Sequence, residues 1–296
     1  MTLSCLPSFY VAGFLKCGTT DMHDRLLRHP DVRDASGKKE IHFWKLSNDV
    51  KLTEYIGMFS EGAAEILRQY GNESSLLQSL TQAASHSAAK SASELDSKLI
   101  LGDFSATTAM MEEGTMEQLH RLTPDVKVIV MLRNPVSRAL SQYVMTHGFS
   151  KIPEFKLSSE SFHAFCEDVI KCITNVQLRS RSCRHRWILR VGLYAQYVRR
   201  WLSVFPVKNL LFVQFEDYVK NPLETINRQV LPFLELPPFV HHSLAAQVSQ
   251  LEVRNKAKTK LKMAPKTHAM LTSFYAPHND ELRTIFAQYN INMSLW

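Results

Sequence analysis

The sequence predicts an α/β protein, a single domain with a mostly parallel central sheet and a P-loop-like phosphate-binding loop. Three observations predict it. Short β-branched or aromatic runs alternate with segments of helical periodicity. Residues 126–132 (VKVIVML) are apolar on both faces, as buried parallel strands are. Residues 14–21 (FLKCGTTD) form a glycine-containing link from a first strand to a helix. No Pro- or Gly-rich linker and no internal repeat divides the 296 residues, so one domain over residues 8–290 is expected.

In chain order, residues 8–13 (SFYVAG) read as a buried strand. Residues 20–28 carry Met22, Leu26 and Leu27 at helical spacing, and Pro30 stops that helix. The Ser/Ala-rich residues 74–97 suit a polar helix or a mobile insert. Residues 99–101 read as a second short strand, and 115–122 as a helix. The clearest strand, 126–132, is followed by a helix from Pro135 to about His147, since Pro suits a first helical turn. Residues 151–159 read as loop, 162–177 as helix and 179–190 as a basic stretch. Residues 193–205 are strongly periodic, and 209–215 (NLLFVQF) form another buried strand. Asn221-Pro222 opens a helix to about Leu234. Residues 256–266 are basic without periodicity, and two helices, 268–275 and 279–289, close the chain.

Composition narrows the function classes. With 45% hydrophobic and 21% charged residues, the chain is neither disordered nor fibrous. A formal charge of +7 favours anionic partners: nucleic acid, phosphorylated cofactors, acidic glycans or a membrane surface. The apolar stretches fall far short of the ~20 residues a membrane helix needs. A strand begins within a few residues of Met1, which leaves no room for a cleavable signal, so a soluble chain or the soluble part of a longer one is expected. The five cysteines form no zinc-type pairs. Cys166, Cys172 and Cys183 suit a local disulfide or scattered buried thiols. Sequons at Asn72 and Asn292 tilt the reading toward the secretory pathway.

Chemistry concentrates in two places. In residues 14–21, successive backbone N–H groups at the loop-to-helix junction can surround an anion. Lys16 adds a cation, and Thr19 and Thr20 add hydroxyls. Lys16 precedes Gly18, so this is not the G-x-x-x-x-G-K-[ST] loop of nucleoside triphosphatases, and an ordinary βα turn is the bland alternative. In residues 132–143 (LRNPVSRALSQY), Arg133 lies at a strand's carboxyl end, where α/β sheets bind ligands. Arg138 and Ser141, three apart, share a helix face and would suit a second phosphate. No Cys–His–Asn pattern supports Cys17 as a nucleophile.

Residues 16–20 (KCGTT) resemble the 5′-phosphosulfate loop of sulfotransferases using 3′-phosphoadenosine 5′-phosphosulfate (PAPS), and Arg133 with Ser141 resembles their 3′-phosphate motif. The blocks KCGTTDMHDRLLRHPDV, KKEIHFW, RVGLYAQYVRRWLSVF and FYAPHNDEL follow the order seen in the Golgi carbohydrate sulfotransferases. The resemblance thus runs from residue 9 to about residue 288. It implies the sulfotransferase fold and PAPS as sulfuryl donor, without a metal. Lys16, Cys17, Gly18, Thr19, Thr20, Arg133, Ser141 and Lys256 would contact that donor; Lys258 and Lys260 are further candidates in the same basic segment. The implied partner is an acidic glycosaminoglycan rather than nucleic acid. Its acceptor would be the 6-hydroxyl of N-acetylgalactosamine 4-sulfate in chondroitin or dermatan sulfate, and the location the Golgi lumen. The resemblance also implies a Cys172–Cys183 disulfide.

Three catalytic residues are implied: Glu40, Lys16 and His42. Glu40, in KKEIHFW, matches the family's general base, and the cations flanking it favour the ionised form that a base needs. His42 is the second candidate for the base, a donor to the sulfuryl oxygens, or a structural histidine. Lys16 would meet charge building on the departing phosphate. Asp103 and Ser105 match a segment lining the acceptor cleft, with helix capping as the alternative. Arg179, Arg181, Arg184, Arg186 and Arg190 suit either a landing site for an acidic chain or a solvated basic loop. Two other classes stay open: a non-catalytic binder of acidic glycans, and a P-loop kinase-like phosphotransferase.

Overall fold

A computed structural model describes residues 6–35, 39–44, 55, 57–59, 100–150, 157–175, 177–178, 182–239, 248, 251 and 261–296. Its centre is a five-stranded sheet in which every pairing is parallel: β1 (Phe9–Val11), β2 (Val32–Asp34), β3 (Ile100–Asp103), β4 (Lys127–Leu132) and β5 (Leu210–Gln214). The spatial order is β2-β3-β1-β4-β5. Strand β1 and residues 128–132 of β4 are fully buried, which explains why their sequences lack polar alternation.

Around the sheet lie α1 (Thr19–Leu26), α2 (Glu113–Leu122), α3 (Pro135–Ser150), α4 (Ser159–Thr174), α5 (Tyr194–Val204), α6 (Phe215–Lys220) and α7 (Pro265–Gln288). Helix α5 buries Tyr194, Val198 and Trp201 on the sheet, and the Trp201 indole donates to Ala109 O at 3.2 Å. A second apolar cluster joins α3, α4, α7 and the turn Trp187–Arg190 through Ala139, Phe162, Ile188, Leu271 and Tyr275. The Cys172–Cys183 disulfide ties the end of α4 to the turn that follows.

Three elements differ from the sequence reading. Strand β2 carries Arg33 and Asp34 in three residues, so no apolar run announced it; it pairs with β3 at the sheet edge, where charged side chains are tolerated. A separate short helix, α6, follows β5 directly. The two closing helices are one, α7, which runs through Pro277. A proline inside a helix costs about 3 kcal/mol. Buried Leu271 and Tyr275 on one side of it, and Leu282, Ile285 and Phe286 on the other, hold both halves on the core. The stretch 74–97 and Asn72 lie outside the described residues, while Asn292 is exposed.

Candidate active site

The chain leaves β1 toward β2 and β3 on one side of the sheet, and later reaches β4 and β5 on the other. The topological switch point therefore lies between β1 and β4, where open α/β sheets bind ligands. The loop after β1 and the turn after β4 flank it, so both sequence motifs meet there.

The first loop places Lys16 and Gly18 in the left-handed region, with φ of 69° and 89°. Gly18 is the N-cap of α1, with no side chain capping it, so the first-turn N–H groups face outward without helical partners. A Cβ on Gly18 would come within 2.8 Å of the Phe215 ring. Gly18→Ala is expected to add about 1–3 kcal/mol of local strain and to abolish nucleotide binding, as a thermal-unfolding series with and without adenosine 3′,5′-bisphosphate would show. Helix α1 is fastened below this loop by Asp21, which takes a bond from Arg25 at 2.7 Å and one from Tyr218 at 2.6 Å. Thr19 is buried and Thr20 half-buried.

Cys17 is part of the buried core. Its thiol is fully buried against Tyr194, and burial pushes it up to about 11. Its N–H bonds to Phe14 O at 3.1 Å, so Cys17 shapes the turn and is no thiolate nucleophile.

Arg133 leaves the end of β4 and returns to the same loop, donating to Lys16 O at 3.0 Å with its guanidinium 4.5 Å from the Phe215 ring centre. Its Nε is buried and has no partner among the described residues. Burial, then the charges of Arg133 and Lys39, hold the Lys16 ammonium below the usual lysine range. Burial likewise lowers Arg133. Cations under such pressure are relieved by an anion, so the residues present fit a phosphate-bearing donor. Ser141 sits half-buried one turn beyond. Arg138 does not join it on the open face. It is fully buried and donates to Ile188 O, because α3 turns that side toward the Trp187–Arg190 segment and Tyr275.

Glu40 reaches this crevice on an irregular segment held by side chains. Asp103, at the end of β3, accepts from Ser105 N at 2.8 Å and from Tyr55 OH at 2.9 Å. Ser105 Oγ in turn accepts the N–H groups of Ile41 and His42 at 2.9 and 3.0 Å. The Tyr10 hydroxyl lies 2.9 Å from that of Tyr55 and accepts from the Trp44 indole at 3.2 Å. Burial raises the Asp103 carboxyl. Asp103 and Ser105 thus build the shelf for the Glu40 loop, a role beyond helix capping.

On that shelf, one Glu40 oxygen meets Lys39 Nζ at 2.5 Å and the other His42 Nε2 at 3.1 Å. His42 Nδ1 lies 2.9 Å from Thr107 Oγ1. The Glu40 and His42 side chains are 30% and 37% exposed, open enough to meet an incoming hydroxyl. Ser105 follows β3, the parallel neighbour of β1, so the Glu40 loop and the Lys16 loop stand at the same carboxyl end of the sheet.

Lys256, Lys258, Lys260, Arg179 and Arg181 lie outside the described residues. Arg184 and Arg190 are exposed on either side of Trp187, which is 36% exposed. Sequence reading missed Tyr55, Tyr194, Phe215 and Glu216. Only the FED triplet offered a signal, at the end of β5, the strand that pairs with β4.

The sulfotransferase domain model matches residues 6–274. Human carbohydrate sulfotransferase 15 is 29% identical over 96% of this chain and 54% of its own length, and the mouse protein is 30% identical over the same shares. Mouse heparan sulfate glucosamine 3-O-sulfotransferase 6 is 29% identical over 78% of this chain and 52% of its own length. The chain therefore spans about half the length of these curated relatives. Among solved structures, a sulfotransferase from Alicyclobacillus acidocaldarius shares the fold, with a TM-score of 0.59 at 22% identity and 98% of each chain covered. With the sulfotransferase domain model matched across residues 6–274, the chain belongs to the sulfotransferase family.

Proposed function

We propose that residues 8–290 form the catalytic domain of a carbohydrate O-sulfotransferase that takes its sulfuryl group from PAPS. The observation that carries this reading is geometric: the loop after β1 and the turn after β4 are joined at one switch point by the Arg133 bond to Lys16 O, and Ser105, just after the neighbouring β3, holds the loop on which Glu40 lies between Lys39 and His42. The relatives' names support a sugar acceptor. The chain's basic excess supports an acidic glycosaminoglycan. The 6-hydroxyl of N-acetylgalactosamine 4-sulfate in chondroitin or dermatan sulfate is the acceptor we assign. The disulfide supports an oxidising compartment, and we assign the Golgi lumen.

When bound, PAPS supplies an activated sulfuryl group on a phosphate leaving group. Lys16 and the first N–H groups of α1 stabilise negative charge at the 5′-phosphate end. Arg133 and Ser141 hold the 3′-phosphate, which fixes alignment. Glu40 removes the proton from the sugar hydroxyl, while His42 and Lys39 keep its carboxylate oriented. Among the described residues no group of acidic, His and Cys side chains is arranged to hold a metal, and none of these roles needs one.

The test is incubation with radiolabelled PAPS and a panel of desulfated and sulfated glycosaminoglycans, with EDTA, followed by disaccharide analysis. Label in 4,6-disulfated N-acetylgalactosamine is the expected result. Label in another hydroxyl corrects the acceptor, and glycan binding with no labelled product overturns the enzymatic reading.

A further inference from the structure

The peptide unit between Arg133 and Asn134 is gripped at both polar ends. Its carbonyl, Arg133 O, accepts the Tyr194 hydroxyl at 2.8 Å. Its N–H, on Asn134, donates to Glu216 Oε1 at 2.8 Å. The two gripping side chains come from α5 and α6, which precede and follow β5 in the chain, and they share a neighbour. Trp296 donates its indole N–H to the other Glu216 oxygen at 2.9 Å, and its ring lies 5.9 Å from that of Tyr194. Trp296 is itself held by Arg283 of α7, which donates to Trp296 O.

This peptide plane is where Arg133 departs from the strand and where α3 begins. Asn134 Oδ1 accepts the N–H groups of Val136 and Ser137 at 3.0 and 3.3 Å, capping the helix that carries Ser141. A rotation of the plane would break the bonds to Tyr194 and Glu216 together. It would also redirect the Arg133 side chain, whose buried Nε has no partner among the described residues. A carboxylate bonded to an N–H is a strong, directional restraint. Its second oxygen needs a donor of its own, and Trp296 is that donor.

We infer that Glu216 and Trp296 are positioning residues, which lock the Arg133–Asn134 peptide and so aim Arg133 at the donor's 3′-phosphate. Neither touches the ligand; both act through Arg133. The assignment rests on the donor reading above, and deepens it by separating what recognises the 3′-phosphate from what recognises the rest of the nucleotide.

The test compares calorimetric binding of adenosine 3′,5′-bisphosphate with that of adenosine 5′-monophosphate, which lacks the 3′-phosphate. Trp296→Phe keeps a ring against Tyr194 and removes only the N–H. Glu216→Gln places an amide where the indole donor needs an acceptor. Each variant is expected to weaken bisphosphate binding by about tenfold, the order of one charge-assisted hydrogen bond, while monophosphate binding stays at the wild-type value. The double variant should be no worse than either single one, because both act on one restraint. Equal loss for the two nucleotides would mean a merely structural role and overturn the assignment, as would unchanged bisphosphate binding. Trp296→Ala removes the ring as well, and Trp296→Phe decides if that protein does not fold. If the wild-type protein binds the two nucleotides equally, the donor reading itself falls and takes this assignment with it.

Discussion

Glu40→Gln should lower sulfation turnover by about 10²–10⁴-fold, the usual contribution of a general base. Glutamine keeps the size of the side chain and one acceptor oxygen, but it cannot take the acceptor's proton. The Asp103–Ser105 shelf holds the loop through the backbone of Ile41 and His42, so the variant loop should stay in place. Binding of adenosine 3′,5′-bisphosphate should change little or tighten, since a negative charge near the cradle is removed. His42→Ala should be milder, because His42 contacts Glu40 and Thr107 and orients rather than abstracts. Single-turnover sulfation beside calorimetric binding reads both effects. Near-normal sulfation by Glu40→Gln, with His42→Ala inactive, would move the base to His42. Loss of bisphosphate binding in Glu40→Gln would mean that the residue holds the site together.

Lys16→Ala and Arg133→Ala should fail in different ways. On the proposed assignment Lys16 would meet charge that grows as the bond to the leaving phosphate breaks, so its removal should lower turnover by about 10²–10³-fold. Arg133 would meet a phosphate whose charge does not change during the reaction, so its loss should chiefly raise the Michaelis constant for PAPS. The structure adds a reason for the split. Lys16 is a lysine whose charged form is disfavoured by burial and by Arg133, and its stabilisation is realised when negative charge arrives beside it. Steady-state kinetics over a range of PAPS concentrations distinguishes the two. Small, equal effects from both variants would sink the assignment of this pair to the donor.

Local patterns carried much of the fold. The strands at 8–13, 126–132 and 209–215 were legible because a buried parallel strand must be apolar on both faces, and few other segments are. The loop from Lys16 to Thr20 and the turn at Arg133 were picked out because anion binding would need specific residue types close together in sequence, and the fold brings the two together. The disulfide partners came from resemblance, and the structure forms that bond. Strand β2 was not legible, since an edge strand is defined by the β3 backbone beside it rather than by its own side chains. Nor was the unbroken α7, where packing on both sides of Pro277 overrides a local helix-breaker.

What the sequence by itself determined was the alternation of strands and helices, and the two short motifs whose chemistry is local. What only the tertiary structure decided was which distant residues complete them. Asp103 and Ser105 lie more than 60 positions from the loop they support, and Glu216 some 80 from the peptide it grips. Arg138 reads as a phosphate ligand by helical spacing; the packing of α3 on the turn at Trp187 buries it, bonded to Ile188 O and with Nε and Nη1 lacking partners among the described residues. A side chain's type and spacing are set along the chain, but its surroundings are set by which elements the parallel sheet brings together. Hydrogen-bond partners at such separations leave no periodic trace in a sequence.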